Sequence, residues 1–280
     1  MMTGARDLTP QLLEALAWQV ELGADEAIGE VPIDRFAESA AAATTATVAA
    51  PRGTGIAFRA TVNARPGPEA VPQGEDASPR ALAEAATTLE ELAEAMRGYD
   101  GSLLKRSARS FVFCDGLPGA RVMVIGEAPG GDEDRVGRPF VGRAGQLLDR
   151  MLAAIGLSRT APAPENAAYI TNILPWRPPG NRAPSEDEAV LFLPFVERHI
   201  ELARPDFILS LGNTPTKALL DTTTGIKRMR GQWVRHAASG LPLLPSFHPA
   251  YLLRTPADKR LAWRDLLSLR AALDGETLEI

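Results

Sequence analysis

Three short loops in this 280-residue chain hold the side chains best able to do chemistry. In the first, Gly126-Glu127-Ala128-Pro129-Gly130 runs on into Asp132-Glu133-Asp134. The glycines let backbone approach a ligand closely, and the carboxylates of Glu127, Glu133 and Asp134 can orient water or stabilise positive charge. The second, Thr171-Asn172, offers an amide with one acceptor and one donor side by side. The third opens on His248 and continues Pro249-Ala250-Tyr251-Leu252-Leu253-Arg254. A neutral imidazole there can donate a hydrogen bond to an atom on which negative charge grows. Of the two other histidines, His199 falls in a helical pattern and His236 in a polar stretch. Phe140, in Pro139-Phe140-Val141-Gly142, adds an aromatic face.

Four apolar runs precede or frame these loops: Arg121–Ile125, Ala168–Ile173, Asp206–Leu211 and Leu243–Phe247. Helical patterns over Gly142–Ala154, Ser185–Ala203, Asn213–Leu220 and Asp258–Leu273 mostly alternate with them. Such alternation predicts an α/β fold of three layers, αβα, around a central four-stranded parallel sheet. In open parallel sheets ligands bind beyond the carboxyl ends of the strands, which is where the three loops fall.

Residues 81–280 are therefore expected to form the catalytic domain. Ahead of it, residues 1–37 contain an amphipathic helical pattern at Thr9–Leu22, and residues 38–80 read as a flexible Ala/Thr-rich then Pro/Gly-rich linker. A second amphipathic stretch covers Ser78 to Met96. Charge divides the same way: residues 1–100 carry 7 Lys and Arg against 16 Asp and Glu, whereas residues 101–280 carry 23 against 19. An acidic front and a mildly basic back suit a domain that approaches a polyanion behind an extension that does not touch it.

One cysteine, Cys114, excludes an internal disulfide framework and any multi-cysteine metal site within the chain. With no run of about 18 apolar residues and no basic-then-apolar start, the expected setting is a reducing cytoplasm, away from membranes. The GxxxxGK[ST] and GxGxxG nucleotide loops are absent as well.

Taken in order and on these strand ends, Gly126–Gly130 (GEAPG), Arg138–Gly145 (RPFVGRAG), Thr171-Asn172 followed by Arg177–Arg182 (RPPGNR), and His248–Arg254 (HPAYLLR) resemble the family 4 uracil-DNA glycosylases. The resemblance covers roughly residues 99–273. It implies a metal-independent hydrolase that flips uracil out of DNA and cuts its N-glycosidic bond, leaving an abasic site for base excision repair. Typical members hold a four-iron cluster on four cysteines. Here the corresponding places read approximately Gly101-Ser102, Trp176 and Phe192, so the expectation is a branch without the cluster and with no cofactor.

The same resemblance implies a role for each residue. Phe140 stacks on the flipped base, and Asn172 pairs with the N3 and carbonyl edge of uracil while mismatching cytosine. Glu133 blocks the 5-methyl group of thymine. His248 donates to O2 as the base leaves as an anion. Better studied relatives place an Asp where this chain has Ala128, against the base, so Glu127 or Asp134 is left to orient water or stabilise the sugar. Leu252 and Leu253 are candidates for the wedge that fills the vacated stack, and Arg182, Arg230 and Arg254 for phosphate contacts. The implied substrate is single- or double-stranded uracil-containing DNA, acted on by a monomer, with the N-terminal extension available to dock replication or repair proteins.

Two rival readings are open. A related subclass cross-links to abasic DNA through a histidine in an inserted basic loop, but Pro175 to Pro184 contains neither histidine nor insertion. A uracil or abasic-site lesion-binding protein with weak or lost catalysis is the other, and Ala128 keeps it in play.

Overall fold

The computed structural model describes residues 78–278 and 280. The Thr9–Leu22 pattern and nearly all of the 38–80 linker lie outside the described residues. The Ser78 to Met96 stretch forms two helices rather than one, α1 (Pro79–Ala85) and α2 (Leu89–Gly98). Ser78 and Thr88 each cap one of them, their hydroxyls accepting from Ala81 N and Glu91 N.

A short helix, α3 (Leu104–Ser107), leads to strands β1 (Cys114–Gly116) and β2 (Val122–Gly126). Then come α4 (Gly131–Val136), α5 (Arg143–Ala153), β3 (Ala168–Asn172) and α6 (Glu186–Ala203). The remainder runs β4 (Phe207–Leu211), α7 (Asn213–Leu220), α8 (Ile226–Met229), β5 (Val234–Arg235), β6 (Pro242–Ser246), α9 (Pro249–Arg254) and α10 (Lys259–Leu273). None of the described helices is long and apolar enough to cross a membrane.

The sheet has six strands in the order β1-β3-β2-β4-β6-β5. Its four inner strands are parallel, as the apolar runs predict, and the two edges are antiparallel additions. The expected four-stranded parallel core is present, and the two short edges extend it to six strands. Edges of three and two residues, mostly half-buried or exposed, carry no apolar run from which a strand can be read.

Alternate residues of the inner strands face opposite layers. Met123, Ile125, Tyr169, Ile208 and Leu243 pack into one core with residues of α1, α2 and α6. Val122, Val124, Ile170, Leu209 and Leu244 join α5 and α10 in the other. Burial on both faces explains why these strands read as continuous apolar stretches.

The chain leaves β2 for β3 on one side and later returns to β4 on the other, so strand order switches between β2 and β4. A crevice at such a point, beyond the carboxyl ends, is the standard ligand position in this class of sheet.

Candidate active site

Register builds the floor of the site. Gly126 pairs with Asn172 at the ends of β2 and β3, and the ladder continues one step further through Ile173 N to Gly126 O and Leu174 N to Glu127 O. The Asn172 side chain therefore lies over Gly126. A Cβ on Gly126 would stand 2.4 Å from Asn172 Oδ1 and 2.5 Å from the Phe140 ring, so only glycine fits. Asn172 is 4% exposed, and its amide forms no hydrogen bond among the described residues. Among the described residues no fully buried side-chain nitrogen or oxygen lacks a hydrogen-bond partner, so the Asn172 amide keeps some contact with open space.

Phe140 sits beside it in the left-handed region, with φ of 55°. This backbone conformation costs a bulky residue on the order of 1–3 kcal/mol. The surrounding turn holds it there. Arg159 donates to Pro139 O and Phe140 O at 2.9 Å each, while Glu133 Oε1 accepts from Val141 N and Gly142 N at 2.9 Å each. Hydrogen bonds to charged groups contribute about 1.5–3 kcal/mol each, so four of them outweigh the strain. Phe140 O also presses on α5 where Gly145 stands: a Cβ there would be 1.7 Å away.

His248 closes the third side, its ring centroid 5.5 Å from that of Phe140. It is the N-cap of α9, and its Nδ1 accepts from Ala250 N at 3.1 Å. An accepting Nδ1 in a neutral ring leaves the proton on Nε2, the nitrogen free to donate. Burial, with the Arg254 charge adding to it, pushes the imidazole down to about 4, so the neutral form prevails at ordinary pH. His199 and His236 are buried elsewhere, bonded to Tyr169 Oη and Ser239 Oγ.

Beside His248 opens a cleft of about 870 Å³ whose lining also includes Glu127, Ala128, Gly212, Asn213 and Arg254, while Phe140, Asn172 and Glu133 are not among the residues that line it. Glu127 Oε2 accepts from Thr214 Oγ1 at 2.8 Å, which ties the loop after β2 to the start of α7 across the switch point. Thr214 and Gly212 escape the sequence reading. Gly212, at φ 99°, passes 3.2 Å from His248 Cβ by the position of its missing Cβ, and the Gly-Asn pair directly after the third apolar run is the signal that marks this loop.

Four further expected site residues are held in structural contacts away from the cleft. Asp134 Oδ1 accepts from Arg109 N and Ser110 N, fastening the segment before β1. Leu252 is 1% exposed in a core with Leu147, Ile226 and Phe247, so it cannot serve as a wedge. Leu253 beside it is only half-buried. Arg230 is half-buried and paired with the buried Asp265, which also accepts from Ser246 Oγ at 2.7 Å. Arg182 makes a two-pronged pair with Glu188 at 2.8 and 2.7 Å, bracing the capping box that starts α6. Lys227, Arg228 and Arg254 remain exposed on the cleft wall.

A sequence model of the uracil DNA glycosylase superfamily matches residues 113–267. The chain belongs to the uracil DNA glycosylase superfamily. The type-4 uracil-DNA glycosylase of Sulfurisphaera tokodaii is 36% identical over 164 residues, spanning 56% of this chain and 71% of that protein. That of Saccharolobus solfataricus is 34% identical over 199 residues, 69% of this chain and 89% of the relative. For the Thermotoga maritima type-4 enzyme the figures are 32% over 194 residues, 67% and 96%.

Within this superfamily the family 4 resemblance implies a four-cysteine cluster, and the residues present do not fit one. Trp176 and Phe192 are both buried and meet edge to face with centroids 5.6 Å apart. Tyr99, rather than Gly101, completes the set: its ring lies 6.2 Å from Phe192, and a Cβ on Gly101 would strike its hydroxyl. Ser102 Oγ is taken by Leu104 N. Cys114 lies in β1, its thiol pushed up by burial. Among the described residues no group of three or more His, Cys, Asp or Glu gathers as a metal set. Rings instead join α6 to the segment after β3, so Trp176→Ala is expected to cost about 3–5 kcal/mol of stability. Urea unfolding measures this, and a loss below about 1 kcal/mol would show that the rings do not carry the packing.

Proposed function

We propose that this chain is a monofunctional uracil-DNA glycosylase that takes the flipped uracil into the pocket floored by Gly126 and hydrolyses its N-glycosidic bond. One observation carries the reading: Phe140, Asn172 and His248, far apart in sequence, converge on one floor with a ring, an uncommitted amide and a donating Nε2. Extrusion is required because the anomeric carbon is unreachable inside a stacked duplex.

Phe140 replaces the lost stacking, and Asn172 presents its donor and acceptor to the O4 and N3–H edge. Cytosine inverts that edge and leaves buried polar groups unpaired, at a cost of about 1–3 kcal/mol for each group. Glu133 is pinned by three backbone N–H groups, those of Gly130, Val141 and Gly142, so a carboxylate walling the C5 side could not swing aside for a methyl group. As the bond breaks, negative charge grows on O2, where His248 Nε2–H donates, and positive charge grows on the sugar. Glu127, oriented by Thr214, is the carboxylate within the cleft that stabilises the sugar and holds the water. Ala128 leaves room against the base but offers no acid.

Arg254, with Lys227 and Arg228, grips phosphates, so affinity falls with salt. Leu253 is the wedge candidate that remains. The enzyme acts as a cytoplasmic monomer without a cofactor, and the N-terminal extension is the place for contact with repair or replication proteins.

Excision from U·G, T·G and C·G duplexes, read as alkali-labile breaks, tests the proposal. Breaks at uracil alone are expected. The second reading, a lesion-binding protein, is favoured specifically by Ala128, and a retarded band with no breaks at uracil would establish it in place of the enzyme.

A further inference from the structure

Arg159 is remote in sequence from the groups proposed to do the chemistry, yet four of its five guanidinium N–H donors are engaged, two of them on the Phe140 turn described above. Nη1 donates to Pro139 O at 2.9 Å and to Asp115 Oδ2 at 3.0 Å. Nη2 donates to Phe140 O at 2.9 Å, and Nε to Asp149 Oδ1 at 2.8 Å. The side chain is 10% exposed. The preceding residue, Ser158, bridges in parallel to Ala167, just ahead of β3.

Two carboxylates, one from the edge strand β1 and one from α5, neutralise and aim this fork. Two further donors fall on consecutive carbonyls of the turn that holds Phe140 at positive φ. On the other side of the same residue, Glu133 takes the two following N–H groups. The turn is thus held between a cation on its carbonyls and an anion on its amides. A planar fork can span two adjacent carbonyls in this way, whereas an ammonium is a single point.

We propose that Arg159 is a positioning residue, which sets the aromatic platform before substrate arrives by locking Phe140 in its left-handed conformation. It touches no DNA and acts only through the Phe140 ring. The inference rests on the reading of that ring as the surface that receives a flipped base. Without the lock, Phe140 relaxes to negative φ, and the turn that presents its ring to the pocket rearranges.

The test compares the affinity of each full-length protein for two duplexes. One carries the uncleavable 2′-fluoro-deoxyuridine, and the other a tetrahydrofuran abasic analogue that has no base to stack. Arg159→Ala and Arg159→Lys are both expected to lose about tenfold in preference for the base-containing duplex, within the range that base–aromatic stacking supplies. Affinity for the abasic duplex should stay within about twofold. Amide exchange over residues 140–142 should quicken in both variants.

Leu92→Ala, which opens a cavity in the core on the opposite face of the sheet, controls for general loss of stability and should keep the preference and the slow exchange. Equal losses on both duplexes, unchanged exchange in the Arg159 variants, or the same selective loss in Leu92→Ala would each overturn the inference. Should Arg159→Ala fail to fold, Arg159→Lys keeps the charge between the two carboxylates and decides alone. A wild-type protein that does not prefer the base-containing duplex would instead overturn the reading of the pocket, while the exchange measurement still judges the lock.

Discussion

His248→Ala is expected to lower the single-turnover rate of uracil release by about 10²–10³-fold, the loss typical of removing one fixed donor to a developing oxyanion, or about 2.7–4 kcal/mol. Ground-state binding of uracil-containing DNA should change far less, because the bond from Nε2 strengthens only as charge reaches O2. The pH profile is a second readout. The imidazole is pushed down to about 4, so the neutral, Nδ1-accepting form is present above that value and lost as pH falls through it. Activity is therefore expected to be flat from about pH 5.5 to 8, with an acid limb well below the ordinary histidine value of about 6.5. A limb near 6.5 that vanishes in His248→Ala, or a rate within about threefold of wild type, would exclude this role.

Asn172→Asp is the second large effect. The substitution keeps the shape and removes the only donor of the side chain, turning an oxygen toward the uracil carbonyl that the amide nitrogen faced. The variant also buries a carboxyl group at a 4% exposed position. An unpaired buried polar group costs about 1–3 kcal/mol and an ionised one more, so a loss of about 10²-fold or greater in uracil excision is expected. Asn172→Ala separates the two causes: it loses both hydrogen bonds without adding charge, and should fall between wild type and the Asp variant. Rates for both within about threefold of wild type would remove Asn172 from base recognition.

The parallel core of this fold is legible because burial on both faces forces unbroken apolar runs, and the runs end where Gly126, Asn172 and Gly212 stand. The edges are not legible: Val234–Arg235 is two residues long, and nothing local distinguishes it from a loop. Within the site, residue types revealed which groups could do chemistry but not which way they face. Leu252 and Leu253 are neighbours of one type, and only the phase of α9 buries the first and leaves the second half-exposed. Arg230 and Arg182 read alike as free cations. Asp265 comes from α10, whose approach no local pattern records, whereas Glu188 lies six residues on in the capping box of α6, where the pattern marks a helix start and not an ion pair. Asp134 and Glu133 lie side by side, yet one helical step turns them to different backbone segments. Thr214 lies in a motif without charge or aromatic character, and becomes visible only once β4 is set beside β2.

Because His248 is itself the first cap of α9, the imidazole and the end of that helix form one stiff lever of six residues, about 9 Å long. Its far end carries Leu253 and Arg254, the groups that would meet the stacked bases and the phosphates. A duplex seated on that end would set the angle of the ring at the other. If the ring takes the departing base as proposed, engagement and bond scission would be mechanically linked, and a free nucleoside, which offers nothing for the far end to grasp, would leave the lever unset.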